Sequence, residues 1–130
     1  MKKAVGYIAS DSFQNGFVSH QFQNQTIKNF LSNQNYIFML SWTEYKGCAP
    51  QVLKSLLQEN FYDGICFYSI EQLLVVSDAS ALFQQLKNSG AWIGFARENI
   101  FFEGQHGFND CLKLWWLLKN TANRVPVSLS

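Results

Sequence analysis

The segment KAVGYIASDS, residues 3–12, sets the type of fold that the sequence predicts. Residues 4–9 form a short apolar run of β-prone residues, which is typical of a buried strand. The run ends in the polar cluster Ser10, Asp11 and Ser12, and a helical pattern follows soon after. A buried strand that ends in hydroxyl and carboxylate side chains before a helix is how an α/β sheet presents a site. We therefore expect these three residues to form the edge of a pocket.

Apolar runs of strand length and helical patterns alternate along the rest of the chain. Further strands are predicted at 36–40, 65–68, 91–96 and, at the sheet edge, 100–102, with helices at 18–33, 50–57, 77–90 and 108–120. The continuous apolar run at 36–40 indicates a strand buried on both faces. This order predicts a single α/β domain over 1–120, with a mostly parallel sheet of four to five strands and helices on both faces. Residues 121–130 are expected to form a polar C-terminal tail.

Composition limits the class of function. The 130 residues carry a net charge of +1 and only 15% charged residues, which does not provide the basic face expected of a nucleic-acid-binding protein. Three cysteines without CxxC spacing, and no signal-peptide pattern, suggest a reduced cytoplasmic protein. No apolar run approaches the roughly 18 residues of a spanning helix, so we expect no membrane span.

Polar residues follow each predicted strand, and in such a sheet ligands bind outside the carboxyl ends of the strands. Besides residues 10–12, this rule selects Glu44, Tyr45, Tyr68, Ser69, Arg97 and Glu98. Carboxylates, hydroxyls, aromatic rings and one guanidinium together suit a polar small molecule such as a sugar or sugar nucleotide. If there is a reaction, Glu44 or Glu98 is the expected general acid or base. The alternative is that polar residues simply resume where strands end, and the sequence does not say whether the protein is an enzyme.

Common cofactor and metal motifs are missing from the sequence. Neither GxxxxGK[ST] nor GxGxxG occurs, and His20 and His106 lie far apart with no ligand cluster around them. We therefore expect no cofactor and no metal. Cys66 and Cys111 fall within a strand and a helix, where buried structural thiols are the simpler interpretation.

The last predicted helix is apolar around more than half of its circumference. We expect Leu112, Trp115 and Trp116 to form an interface that makes the protein a homodimer. The alternatives are deep packing of this helix or coverage by the tail.

The sequence resembles the catalytic domain of serine recombinases at residues 6–10, 21–25, 62–65 and 87–90. This resemblance implies a resolvase-like, flavodoxin-like sheet. However, Ala9 stands where the recombinase pattern has an arginine before its nucleophilic serine, and Glu71 and Gln72 stand where it has further arginines. Those arginines handle the scissile phosphate, so a degenerate recombinase-like domain is the less favoured alternative and no nucleic-acid partner is expected.

A closer resemblance is to sporadic carbohydrate cluster proteins, which are encoded among bacterial surface-polysaccharide genes. It is carried by residues 6–10, 23–24, 27, 43–45, 63–65, 67–69, 72–73 and 98. The resemblance implies a cytoplasmic role in lipopolysaccharide or capsule biosynthesis, in which the protein binds, and in one version transforms, a sugar or sugar nucleotide. A non-enzymatic accessory or oligomerisation protein of such a pathway is the alternative. No catalytic residues follow from the resemblance.

Overall fold

The computed structural model of the chain describes residues 2–10, 18–45, 51–59, 61–74 and 79–128. Within these ranges, the predicted strands and helices occur in the predicted order, and one short helix at Glu71–Leu74 is present that the hydrophobic pattern does not predict. The strands are β1 Lys3–Ala9, β2 Ile37–Glu44, β3 Gly64–Phe67, β4 Trp92–Phe95 and β5 Ile100–Phe102. The helices are α1 His20–Asn33, α2 Gln51–Leu56, α3 Glu71–Leu74, α4 Ala79–Ser89 and α5 Gly104–Ser128.

The strands form one sheet in the order β2-β1-β3-β4-β5, and this arrangement confirms the predicted α/β class. The first four strands of this order are parallel, whereas β5 pairs with β4 in the antiparallel direction. From β1 the chain moves to β2 on one side and then returns to β3 on the other side. The carboxyl ends of β1 and β3 therefore flank a topological switch point, where open α/β sheets bind ligands.

Helices cover both faces of the sheet. On one face, Ile27, Phe30 and Leu31 of α1 pack against residues of β1, β3 and β4. On the other face, buried side chains of α2, α3, α4 and α5 share one cluster with the opposite side of the same strands. Cys66 and Cys111 are buried as expected, and burial raises the pKa of both thiols, that of Cys111 to about 12.

Strand β2 corrects one prediction, because it is an edge strand and continues to Glu44 instead of ending at residue 40. Its Ile37 and Leu40 side chains are exposed, so the strand is not buried on both faces. The pairing with β1 is irregular, since Ala4 pairs with Phe38 but Gly6 pairs with Ser41. Between these two pairs β2 has one residue more than β1, which is a β-bulge. As a result, Phe38 and Ser41 lie on the same side of the sheet although they are three residues apart.

Helix α5 corrects two further predictions. It begins at Gly104 and ends at Ser128, so residues 121–128 are helical and do not form a tail. No glycine after Gly107 interrupts it. Trp115, expected at an interface, is buried and its indole N–H donates to the Leu73 carbonyl at 3.1 Å, whereas Leu112 and Trp116 are exposed as expected. Within the described residues, no helix combines the length and the apolar character needed to cross a membrane.

Candidate functional site

Three side chains meet at the carboxyl edge of β1 and β2, and we call them the Ser10–His20–Tyr45 site. Ser10 extends the sheet by one residue, since its N–H donates to the Glu44 carbonyl at 3.0 Å. Its hydroxyl oxygen lies 2.9 Å from Nε2 of His20, the first residue of α1. The Tyr45 ring meets the His20 ring edge to face, with 6.0 Å between centroids, and 62% of Tyr45 is exposed. A hydroxyl, an imidazole and an open aromatic surface are thus adjacent.

The start of α1 is held so that His20 faces Ser10. Ser19 caps the helix by accepting a hydrogen bond from the Phe22 N–H at 3.1 Å, as its position before the helix suggests. Gln23 is fully buried, and both the oxygen and the nitrogen of its side-chain amide form hydrogen bonds. Its oxygen accepts from the Ala9 N–H at 3.0 Å, and its nitrogen donates to the carbonyls of Ala9 and Val18 at 2.7 and 2.8 Å. Gln23 therefore ties the end of β1 to the residues that precede α1.

Glu44 does not face a binding site, which corrects its prediction as a ligand contact and as a general acid or base. The side chain is completely buried. It accepts the Tyr7 hydroxyl at 2.7 Å, and it accepts the N–H groups of Val52 and Leu53 at 3.1 and 3.3 Å. Those two N–H groups belong to the first turn of α2, which has no intrahelical partners for them. The role of Glu44 is to join α2 to the sheet.

Ser69 and Glu98, the latter partly exposed, form a hydrogen-bonded network. The Ser69 hydroxyl donates to Oε2 of Glu98 at 2.8 Å, and the Ile70 N–H donates to Oε1 at 3.1 Å. Ser69 and Gln72 cap α3 reciprocally, because Ser69 accepts the Glu71 N–H and Gln72 accepts the Ser69 N–H. Ser69 is fully buried, and both carboxylate oxygens of Glu98 are occupied by these bonds. The pair stabilises the turn from β3 into α3.

Tyr68 and Arg97 lie farther along the same edge of the sheet. Tyr68 is almost fully buried, and its ring meets that of the exposed Phe22 at 6.2 Å between centroids. Burial raises the pKa of the Tyr68 phenol above its usual 10.0, and the Arg97 guanidinium opposes this effect, so the phenol stays protonated at neutral pH. The side chain of Arg97 is 42% exposed and donates to Glu71 at 2.9 Å. Arg97 is thus a partly open cation at this edge.

Of the predicted site residues, the structure brings Ser10 and Tyr45 together and leaves Arg97 accessible nearby. Asp11 and Ser12 lie outside the described residues. His20 is given no role as a metal ligand by the sequence and is not among the predicted site residues, whereas the structure places it beside Ser10. The sequence does contain a signal for the position of His20. The helix that follows β1 begins at the carboxyl edge of the sheet, so its first residue lies over the predicted site.

The groups at this site are able to bind a polar ligand. Among the described residues, no group of three His, Cys, Asp or Glu side chains could hold a metal ion. A serine within hydrogen-bond reach of a histidine also resembles a nucleophile with its base. However, the Ser10 N–H is committed to the Glu44 carbonyl and does not serve an oxyanion. Hydroxyl and imidazole can both donate and accept hydrogen bonds, which is what a polar ligand requires.

Comparison with known proteins adds no identification to this geometry, because no protein-family model and no curated protein matches the sequence significantly. Function is therefore inferred from the site and its surroundings.

Proposed function

We propose that the protein binds a sugar or sugar nucleotide at the Ser10–His20–Tyr45 site, as part of bacterial surface-glycan biosynthesis. The supporting observation is the Ser10–His20 pair, 2.9 Å apart, beside a Tyr45 ring that is 62% exposed. A sugar has hydroxyl groups around its rim and an apolar C–H face. It is therefore matched by donors and acceptors beside an open ring. The biosynthetic context comes from the resemblance to sporadic carbohydrate cluster proteins.

Arg97 extends this proposal to the phosphates of a sugar nucleotide. It follows β4, and Ser10 follows β1, with β3 between these two strands. Neighbouring strands lie about 4.8 Å apart, so the two positions are separated by about 10 Å along the edge. A monosaccharide does not span this distance, whereas a sugar nucleotide does. The guanidinium is suited to bind a phosphate in bidentate geometry.

A thermal-shift panel of UDP-, GDP-, dTDP- and CMP-sugars tests this proposal. A ligand at 100 times its dissociation constant stabilises the native state by about 2.7 kcal/mol, which for a domain of this size raises Tm by roughly 5–10 °C. Tyr45→Ala removes the ring and should weaken binding by at least about tenfold. The control is Phe61→Ala, which removes another exposed aromatic ring, before β3, and should keep wild-type binding. No shift with any compound, or an equal shift in Tyr45→Ala, would count against the proposal.

A homodimer through α5 is a second proposal, and it is favoured by the exposed face of that helix. Leu112, Trp116 and Leu117 are 37%, 59% and 62% exposed. Because α5 continues to Ser128, residues 121–128 do not fold back over these side chains. A second copy of the chain would cover them, as large exposed apolar groups commonly mark interfaces. An accessory role in a glycan biosynthesis complex would use the same face.

Light scattering at micromolar concentration measures this self-association. We expect a dimer for the wild-type chain and a folded monomer for Trp116→Glu, because burial of a carboxylate in the interface is unfavourable. Asn29→Glu, an exposed position on α1 on the opposite face of the sheet from α5, is the control for added charge and should stay dimeric. A wild-type monomer over the whole concentration range would refute the dimer.

A further inference from the structure

A polar groove runs between α1 and the edge strand β2, outside the Ser10–His20–Tyr45 site. Its volume is about 520 Å³, which lies within the range of roughly 300–1,000 Å³ for small-molecule sites. We call it the α1–β2 groove. Its lining consists of amides, hydroxyls, one ammonium and one ring, mainly from Gln21, Asn24, Gln25, Lys28, Phe38 and Thr43.

Two features of the backbone create this lining. On α1, positions 21, 24, 25 and 28 recur at helical spacing and form one polar stripe beside the buried stripe of Ile27 and Leu31. On β2, the bulge places Phe38 and Ser41 on the same side of the sheet, and Thr43 follows on that side two residues later. The Ser41 hydroxyl donates to the Asn24 side-chain oxygen and joins the two walls. The helical stripe and the bulge thus place the polar side chains of the two walls beside each other.

The chemistry of the lining points to a carbohydrate. Amide and hydroxyl groups donate and accept hydrogen bonds, which matches the hydroxyl rim of a sugar. Phe38 provides a ring for an apolar C–H face. No carboxylate is among the residues that line the groove, and Lys28 is its charged group, so an acidic sugar is also accommodated.

A peptide strand is a poorer occupant for this region. Addition of a peptide strand to β2 would need a regular row of backbone N–H and C=O groups along its free edge. The bulge between Phe38 and Ser41 interrupts that row, and bulges are a common protection of edge strands. Polar side chains, which a peptide strand does not require, dominate the groove itself.

Residues that line the groove are neighbours in the chain of residues of the Ser10–His20–Tyr45 site. Gln21 follows His20 directly on α1, and Thr43 lies two residues before Tyr45 on the same side of the strand. From Gln21 to Lys28 the helix rises about 10 Å, which is longer than a single sugar ring. We infer that the ligand is an oligosaccharide, with one terminal sugar at His20 and Tyr45 and the following units in the α1–β2 groove. This inference rests on the proposed function, because it extends the same site.

Isothermal titration of oligosaccharides of increasing length tests the inference. The probes are monomers to tetramers in three series: N-acetylglucosamine to chitotetraose, glucose to maltotetraose, and galacturonic acid to its tetramer. We expect the dissociation constant to fall at least tenfold from monomer to tetramer in at least one series. The double variant Gln25→Ala, Thr43→Ala should lose this gain and keep the monomer affinity, because it alters only the groove.

Gln84→Ala is the matched control for this variant. Gln84 donates to Asn88 one turn later on α4, as Gln25 donates to Asn29 on α1, and both glutamines are exposed. The Gln84→Ala variant should keep the full increase in affinity from monomer to tetramer. Monomer or nucleotide-sugar binding without any gain overturns the inference and leaves the proposed function standing. A gain that persists in the double variant also overturns the inference. If neither these probes nor the nucleotide sugars bind, both proposals fail.

Discussion

Replacement of Glu44 by alanine should lower the free energy of unfolding by roughly 3–5 kcal/mol. The substitution removes the acceptor of the buried Tyr7 hydroxyl and of two backbone N–H groups at the start of α2. Each of these groups loses one hydrogen bond, and a buried polar group that loses its acceptor costs about 1–3 kcal/mol. Urea denaturation of the purified variant, followed by circular dichroism, measures the loss.

Two control variants separate this structural role from a catalytic one. Glu44→Gln keeps one side-chain oxygen as an acceptor and should lose less, roughly 1–2 kcal/mol. Glu59→Ala removes a carboxylate from an exposed position and should change stability by less than about 0.5 kcal/mol. If Glu44→Ala keeps wild-type stability but loses sugar binding, Glu44 is a ligand contact after all, as the sequence suggested.

Gln23→Leu is expected to have the second largest effect, a loss of roughly 3 kcal/mol or more. Leucine has a similar size but no hydrogen-bonding groups. The substitution leaves the N–H and carbonyl of Ala9 and the carbonyl of Val18 without the bonds that Gln23 provides. Because these bonds tie β1 to the start of α1, the Ser10–His20 contact should also be lost.

The control for Gln23→Leu is Gln21→Leu, two residues earlier on the same helix. Gln21 is exposed, so this change should alter stability by less than about 0.5 kcal/mol. Urea denaturation compares the two variants, and exchange of the Ala9 amide hydrogen reports the local effect. Equal stability of the two variants would show that the bonds of Gln23 do not hold this junction together.

Local patterns were sufficient to predict most elements of the fold. The alternation of apolar runs with helical stripes gave the order of strands and helices, and Ser19 marked the start of α1. Such signals depend on residues that are close in the chain, so they can be identified in the sequence. The extent of β2 and α5 was predicted less well, because no glycine or proline marks the end of either pattern at the expected point.

The orientation of polar side chains could not be predicted in the same way. Glu44 and Tyr45 are neighbours at the end of β2, yet one is completely buried and the other is 62% exposed. The β-bulge inserts one residue into β2, so residues after it point to the opposite face of the sheet from the one that a regular strand would give them. The bulge itself depends on the pairing of β2 with β1. The contact between Ser10 and His20 likewise depends on how α1 packs on the sheet. These features arise from tertiary contacts, which a single sequence does not display.

The most direct test of the central proposal is a two-dimensional ¹H–¹⁵N NMR titration of the labelled protein with the nucleotide sugar that gives the largest thermal shift. The proposal predicts saturable changes in the backbone signals of Ser10, His20 and Tyr45, with weaker changes toward Arg97. The signals of Leu112 and Trp116 on α5 should stay unchanged. Absence of change at the first three residues, or changes confined to α5, would contradict a sugar site at the carboxyl edge of the sheet.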